Sequence, residues 1–231
     1  GSITQVINEF YDTGFSTSET NYNMYDLIHG TMDSVVYTKE GEFQYNDTVV
    51  ASHEETENED GTKTYTVTIN DGLVWSDGTP LTAQDFVFGI TRALSSSTGA
   101  VAEDMLAIVN ARAYAAGEVD ASALGVVAED DHTLVIRLEK GNPDFPSLTA
   151  GAHYMPCNQD YFQSCQGHYG LSSEYLITNG PFTFASAYAW QTDSGERSIT
   201  VTRSETYRGE RKSAAASVTY LIDYDLSLIH I

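Results

Sequence analysis

The chain has 231 residues, a formal charge of −22 at neutral pH, and 41% hydrophobic residues including 15 Tyr, 9 Phe and 2 Trp. That size and aromatic content support a buried core and exclude a disordered chain. The acidity excludes nucleic acid, whose phosphates would be repelled, and no apolar run reaches the roughly 18 residues of a spanning helix.

Residues 3–6 are short and apolar, as in an edge or first strand. A polar loop, Phe15-Ser16-Thr17-Ser18-Glu19-Thr20, precedes a helix predicted over residues 21–29 that Gly30 ends. Residues 49–56 and 63–69 flank Asn58-Glu59-Asp60-Gly61 in a hairpin pattern. In the second strand Tyr65, Val67 and Ile69 alternate with Thr64, Thr66 and Thr68, so one face is buried. Asn70-Asp71-Gly72 and Ser76-Asp77-Gly78-Thr79-Pro80 carry turn chemistry around Trp75, whose ring must find cover. Thr82, with Asp85 three residues on, starts a helix that places Phe86, Val87, Ile90 and Leu94 on one face.

Ser95 to Gly99 breaks that helix, and a second, alanine-rich helix is predicted over residues 100–116 with Gly117 as its stop. Residues 125–128 and 133–138 form another hairpin pattern, in which Leu134, Ile136 and Leu138 alternate. Asn142-Pro143 and Phe145-Pro146 leave room for only a short helix, whereas residues 158–166 read as helical. After Asn179-Gly180-Pro181-Phe182 come strands at 198–203 and 217–222. Helices and strands mix without a strict βαβ rhythm, so the fold class is α+β, or an irregular mixed α/β.

Candidate chemistry is sparse. His153, Cys157, Cys165 and His168 could in principle hold a tetrahedral metal, but the spacing departs from zinc modules, which pair their cysteines and histidines closely. Cys157 and Cys165 could instead close a disulfide loop in an exported protein, or remain free buried thiols. On one short helix the two could not bridge unless that helix bends or ends between them. Nucleophile-elbow, zinc-protease and phosphate-loop motifs are all missing from the sequence. Asn46-Asp47-Thr48 matches a glycosylation sequon too short to carry weight. The acidic pairs read as solvated faces more readily than as catalytic dyads.

The run Tyr65-Thr66 … Trp75-Ser76-Asp77-Gly78-Thr79-Pro80-Leu81-Thr82-Ala83-Gln84-Asp85-Phe86-Val87 resembles the signature of family-5 solute-binding proteins, the extracytoplasmic receptors of peptide, dipeptide and nickel ABC importers. Val126 … Asp130-Asp131-His132-Thr133-Leu134 is similar to the family's hairpin, and Asn179-Gly180-Pro181-Phe182 to its Asn-Gly-Pro-aromatic turn. Met155-Pro156 and Tyr161-Phe162 fit the segment before that turn, so the resemblance spans residues 4–223. A departure lies at Ser204-Glu205-Thr206-Tyr207-Arg208, where the family usually has an Asn and often Tyr-Trp.

The resemblance implies the first lobe of a two-lobed periplasmic-binding-protein-like fold. Residues 1–30 would open lobe 1, residues 31–150 form an accessory α+β subdomain, and residues 151–225 return to lobe 1. Residues 226–231 match no family continuation and read either as a non-native tail or as an ordinary strand end. The expectation is therefore an incomplete chain without the second lobe, binding peptide weakly or not at all alone. By the same resemblance the ligand is a peptide, held without covalent chemistry or cofactor. Phe15, Ser16, Thr17, Ser18, Asn21 and Tyr22 would face the cleft, with Asn179 and Gly180 at the returning turn. Trp75, Asp77 and Gly78 read as architecture. The partners implied are the importer's permease subunits, for a monomer outside the cytoplasmic membrane that is periplasmic or held by a lipid anchor not carried in this chain. No signal peptide is present, and an export signal could have preceded Gly1-Ser2.

Overall fold

A computed structural model describes residues 1–7, 30–95, 101–140, 145–186, 190–191, 197–209, 211 and 214–222. Strand β1 (Ser2–Ile7) is followed by a small hairpin, β2 (Val36–Lys39) and β3 (Glu42–Tyr45), and then by the long hairpin of β4 (Val50–Glu57) and β5 (Lys63–Ile69). Asn58 and Gly61 close that turn, with the Asn58 N–H on the Thr62 carbonyl at 2.8 Å and Gly61 at φ +81°. Side chains on β5 alternate as the sequence implied, Tyr65, Val67 and Ile69 being buried.

Helix α1 (Ala83–Leu94) follows the Trp75 turns. Thr82 is its N-cap, and the Asp85 carboxylate accepts from the Thr82 N–H at 2.9 Å, satisfying a donor that the first helical turn leaves free. Phe86, Ile90 and Leu94 are buried along one stripe; Val87 is only partly buried. Strands β6 (Val126–Asp130) and β7 (Thr133–Leu138) complete an antiparallel sheet of order β4-β5-β7-β6, against which α1 packs. The register sets Tyr65 beside Ile136 and Val67 beside Leu134, so two apolar stripes meet on one face.

The helix expected over residues 100–116 is not formed as one element. The described part holds a 3-10 turn, Glu103–Ala107, and a short helix α2 (Ala111–Ala115). Between them Ile108 bridges to Leu138, and the Val109 N–H donates to the Arg137 carbonyl at 2.9 Å. Sheet bonding takes the backbone groups a helix would use, and Asn110 turns the chain through φ +64°. Gly117, at φ +73°, does end the second piece. The helix expected over 21–29 lies outside the described residues. Gly30 is itself helical, with Thr31, so it does not terminate a helix before residue 30.

Helix α3 (Phe145–Thr149) is short, as Phe145-Pro146 required, and Phe145 stacks on Tyr65 with ring centroids 4.7 Å apart. Helix α4 (Gln159–Ser164) is capped by Asn158, whose side chain accepts from the Tyr161 N–H at 2.9 Å. The chain then builds a second sheet from β8 (Phe182–Phe184), β9 (Trp190–Gln191), β10 (Arg197–Arg203) and β11 (Ser217–Ile222). Its order is β1-β11-β10-β8, with β9 also on β10 and β1 parallel to β11. The start of the chain is thus zipped along its whole length to residues 217–222. Mixed helices and sheets of this kind make the fold α+β.

Candidate functional site

The Trp75 turn is a packing element. Trp75 is fully buried and its indole N–H donates to Asp85 Oδ2 at 3.2 Å, so one carboxylate serves both the ring and the cap of α1. Burial pushes the Asp85 carboxyl above its usual range, against the pull of the hydrogen bonds from Thr82 and Trp75. Asp77 holds the next turn by accepting from the Thr79 N–H at 2.9 Å, and Gly78 supplies φ +88°. Gly89 lets α1 approach the segment before α4, since a Cβ there would lie 2.3 Å from the Met155 carbonyl oxygen.

The second notable region is the junction where the chain re-enters its terminal sheet. Thr31, Met32, Asp33 and Ser34 are all buried, and none lies in a strand, so each backbone polar group needs a partner from elsewhere. The Gly180 N–H donates to the Thr31 carbonyl at 2.8 Å. Asn179 uses both ends of its amide on Asp33: Oδ1 accepts from the Asp33 N–H at 3.0 Å, and Nδ2 donates to the Asp33 carbonyl at 2.9 Å. The amide thereby stands in for a neighbouring strand. Asn46 Nδ2 donates to the Ser34 carbonyl at 3.1 Å, and the Ser34 hydroxyl donates to the Tyr154 carbonyl at 3.0 Å. Asn46 is 2% exposed, so the sequon asparagine is a buried structural donor.

Residues on either side tie the junction to both sheets. The Ser76 N–H donates to the Thr178 carbonyl at 2.7 Å and Ser76 Oγ accepts from the Thr178 N–H at 3.0 Å, so the Trp75 turn is held by the same returning segment. Gly180 is required by the closeness: a Cβ would meet the Thr31 carbonyl carbon at 2.6 Å and the Met32 nitrogen at 2.7 Å. The Asp33 carboxylate is buried against the Arg211 guanidinium, an ion pair between residues 178 positions apart. Burial raises the Asp33 carboxyl from its ordinary value, opposed chiefly by the Arg211 charge. The Tyr207 phenol, beside Asp33, is pushed up by its own burial and by that carboxylate.

Of the expected ligand-facing residues, Phe15, Ser16, Thr17, Ser18, Asn21 and Tyr22 lie outside the described residues. Asn179 and Gly180 sit together at the junction, where Asn179 also lines a small cavity with Asp33 and Tyr207. Asp33, Arg211 and Tyr207 were missed in the sequence. The one available signal was an acid inside the otherwise uncharged run Thr31-Met32-Asp33-Ser34-Val35-Val36.

The candidate disulfide is corrected. Cys157 and Cys165 are free and buried, on opposite ends of α4. The six residues of that helix alone advance about 9 Å at ~1.5 Å each, beyond the roughly 7 Å between Cα atoms that a bridge tolerates. Burial pushes both thiols up, Cys157 with the Arg92 charge opposing, so neither is an activated thiolate. Cys165 Sγ faces the Tyr175 carbonyl at 3.9 Å, and the His168 ring stacks on Tyr175 with Nδ1 3.1 Å from the Cys165 carbonyl. Among the described residues no three His, Cys, Asp or Glu side chains gather as a metal site, so His153, Cys157, Cys165 and His168 do not come together as the tetrahedral set their sequence allowed in principle.

Comparison with known proteins places this geometry. Residues 48–225 match the family model of the bacterial extracellular solute-binding proteins, family 5, middle region. A dipeptide-binding protein of Lactococcus lactis subsp. cremoris is 38% identical over 128 residues, which cover 55% of this chain and 23% of that protein. The oligopeptide-binding protein OppA of Bacillus subtilis is 36% identical over 146 residues, 63% of this chain and 26% of the relative. The substrate-binding domain of an oligopeptide ABC transporter from Bacillus anthracis superposes with a TM-score of 0.83 at 28% identity, covering 96% of this chain and 41% of that one. The chain thus spans well under half the length of these relatives. With the family model matched over most of its length and the same fold in solved members, the chain belongs to the family-5 bacterial extracellular solute-binding proteins.

Proposed function

We propose that this chain forms part of the substrate-binding receptor of an ABC importer and helps capture peptides outside the cytoplasmic membrane. The observation that carries the reading is the likeness to the Bacillus anthracis oligopeptide transporter domain over 96% of the chain at 28% identity. The lactococcal dipeptide-binding protein and the Bacillus subtilis oligopeptide-binding protein point the same way. Binding is non-covalent and needs no cofactor. An extended peptide pairs through its backbone as an added strand, which tolerates varied side chains, and lobe closure about a hinge traps it. The receptor acts as a monomer, periplasmic or lipid-anchored, and hands its ligand to permease subunits.

Phe15, Ser16, Thr17, Ser18, Asn21 and Tyr22 face the ligand, with Asn179 and Gly180 at the returning turn as further candidates. Residues 31–150 form the accessory subdomain, a reading supported by the separate four-stranded sheet built wholly from residues 50–138. The ligand-facing residues belong to one lobe of the cleft, so the 231 residues alone bind peptide weakly or not at all.

The test is a chimera in which these residues replace the matching stretch of a family member, expressed in cells lacking that receptor. Uptake of short peptides is expected to be restored. A chimera that is exported and folded, yet supports no peptide uptake, overturns the proposal.

A further inference from the structure

Strand β6 is an edge of the four-stranded sheet, and among the described residues no strand lies on its outer side. Its bonding to β7 fixes which backbone groups face outward. The Arg137 N–H donates to the Gly125 carbonyl at 2.6 Å, and Val126 stands opposite Ile136. Antiparallel pairs alternate, so Val127 and Val135 exchange the next bonds, while Val126 and Ala128 aim their N–H and C=O groups at the open side. The register shifts between Ala128 and Asp130, which ends regular pairing there. The open edge is therefore the short run Val126-Val127-Ala128.

Along this edge runs an open groove of about 380 Å³. That lies at the lower end of ligand-pocket sizes, roughly 300–1,000 Å³. Val87, Phe88 and Thr91 of α1 form one wall, and Leu124, Val126 and Ala128 form the other. Val87 is only partly buried because it faces this groove, beside the core stripe of Phe86, Ile90 and Leu94. Phe88 is held edge-on to Phe162 with ring centroids 5.5 Å apart, which fixes the helical wall. No charged side chain of the described residues lines the groove. Exposed acids flank its lining run 121–128 in the chain: Asp120 precedes it, and Glu129, Asp130 and Asp131 follow it. The His132 N–H donates to Asp130 at 2.8 Å and holds that carboxyl below its usual range, so it stays charged.

We propose that the groove between β6 and α1 is a peptide site, taking a short extended peptide with an apolar centre and cationic ends. The peptide adds to β6 as a further strand, its backbone pairing with Val126 and Ala128 and alternate side chains entering the groove. The apolar centre meets the uncharged walls, and the cationic ends meet Asp120 and the Glu129–Asp131 run. A second copy of the chain fits poorly. Antiparallel pairing of two β6 edges would set the Glu129–Asp131 end of one against the Asp120 end of the other, in a chain of net charge −22. The site lies on the four-stranded sheet, so it stands or falls independently of the proposed cleft.

The probe is acetyl-Lys-Val-Leu-Val-Lys-amide, whose Leu and two Lys share one face, titrated into the 231-residue chain and followed by amide NMR. Saturable shifts are expected at residues 126–128 and along residues 87–91, with slowed exchange of the Ala128 N–H. They should weaken severalfold as salt is raised, and vanish when Glu replaces both Lys of the probe. Ala128→Pro removes only an outward N–H, which an edge strand tolerates, and should abolish the shifts in a folded protein. Thr91→Arg should do the same from the helical wall, by filling the groove and opposing the cationic ends. If Ala128→Pro does not fold, Thr91→Arg decides. The proposal is overturned by shifts that do not saturate or fall elsewhere, or by unchanged binding in either folded variant. Sedimentation showing a dimer that protects residues 126–128 overturns it as well.

Discussion

The Trp75 turn with α1 and the Asp33 junction are both buried, hydrogen-bonded and close together, yet they are specified in opposite ways. In the first, the bonds that shape the turn and the cap are near in sequence, Trp75 to Asp85 being a separation of 10 and Thr82 to Asp85 one of 3, and only Ser76 of the turn reaches across to Thr178. In the second, Asn179 clamps Asp33 across 146 positions and Arg211 reaches it across 178. The local unit can form its turns and cap before any tertiary structure exists. The junction has no meaning until the chain has returned to β1 and β11. Local consistency identifies a family member, whereas the long-range latch fixes how its segments are held together.

The largest expected effect breaks the local unit. Trp75→Ala removes a fully buried ring and strips Asp85 Oδ2 of one of its two donors. Truncating a buried aromatic costs about 3–5 kcal/mol, a large part of a typical domain's stability. Urea unfolding followed by tyrosine fluorescence and circular dichroism should show a much lower midpoint, or no cooperative transition. A midpoint within experimental error of wild type would mean that the turn is not a packing element.

A smaller effect is expected at the junction. Gly180→Ala places a Cβ 2.6 to 2.8 Å from the Thr31 and Met32 backbone, atoms that cannot move as a side chain would. Such overpacking costs about 1–3 kcal/mol. The comparison sharpens with Gly72→Ala, where no atom lies within 4 Å and the cost comes only from φ +72°. Hydrogen exchange should localise the Gly180→Ala loss to residues 31–35 and leave β5 and α1 protected. Equal loosening of both regions would show that they unfold as one unit.

What could be read from the sequence follows the same division. The β4–β5 hairpin, the β5 alternation, the Trp75 turns and the capped α1 were legible because side-chain period, glycine position and cap lie within a few residues of each other. The single helix over residues 100–116 failed for a tertiary reason: sheet register claimed Ile108 and Val109, and alanine content carries no trace of that demand. At the candidate site, Asn179 and Gly180 were found through a turn motif, but their contact with residues 31–33 was not. Asp33 was missed although it is the one acid in an uncharged run, and nothing local named Arg211 as its partner. The cysteine spacing looked like a loop closure until α4 occupied the interval between the thiols.

The smallest expected effect is a pH trend that separates buried from exposed carboxylates. Asp85 has its pKa raised above 3.8 chiefly by burial, so the folded state holds a proton that the unfolded state has released. That contribution to stability is fully present below about pH 3.8 and is lost as pH rises through the folded value. Asp85→Asn lacks the term, so the stability of wild type relative to this variant should be greatest in acid and should decline as pH increases. Asp60 and Asp130 are fully exposed with lowered pKa values, held down first by hydrogen bonds from Thr62 and from the His132 backbone respectively. For them the sign reverses: the stabilising contribution is present above 3.8 and is lost as pH falls through the folded value, so the gap to Asp130→Asn should widen with pH. Urea midpoints for the three proteins from pH 3 upward measure both slopes. Slopes of the same sign would mean that hydrogen bonds to the Asp85 carboxylate outweigh its burial, and that Trp75 and Thr82 hold it as a charged group.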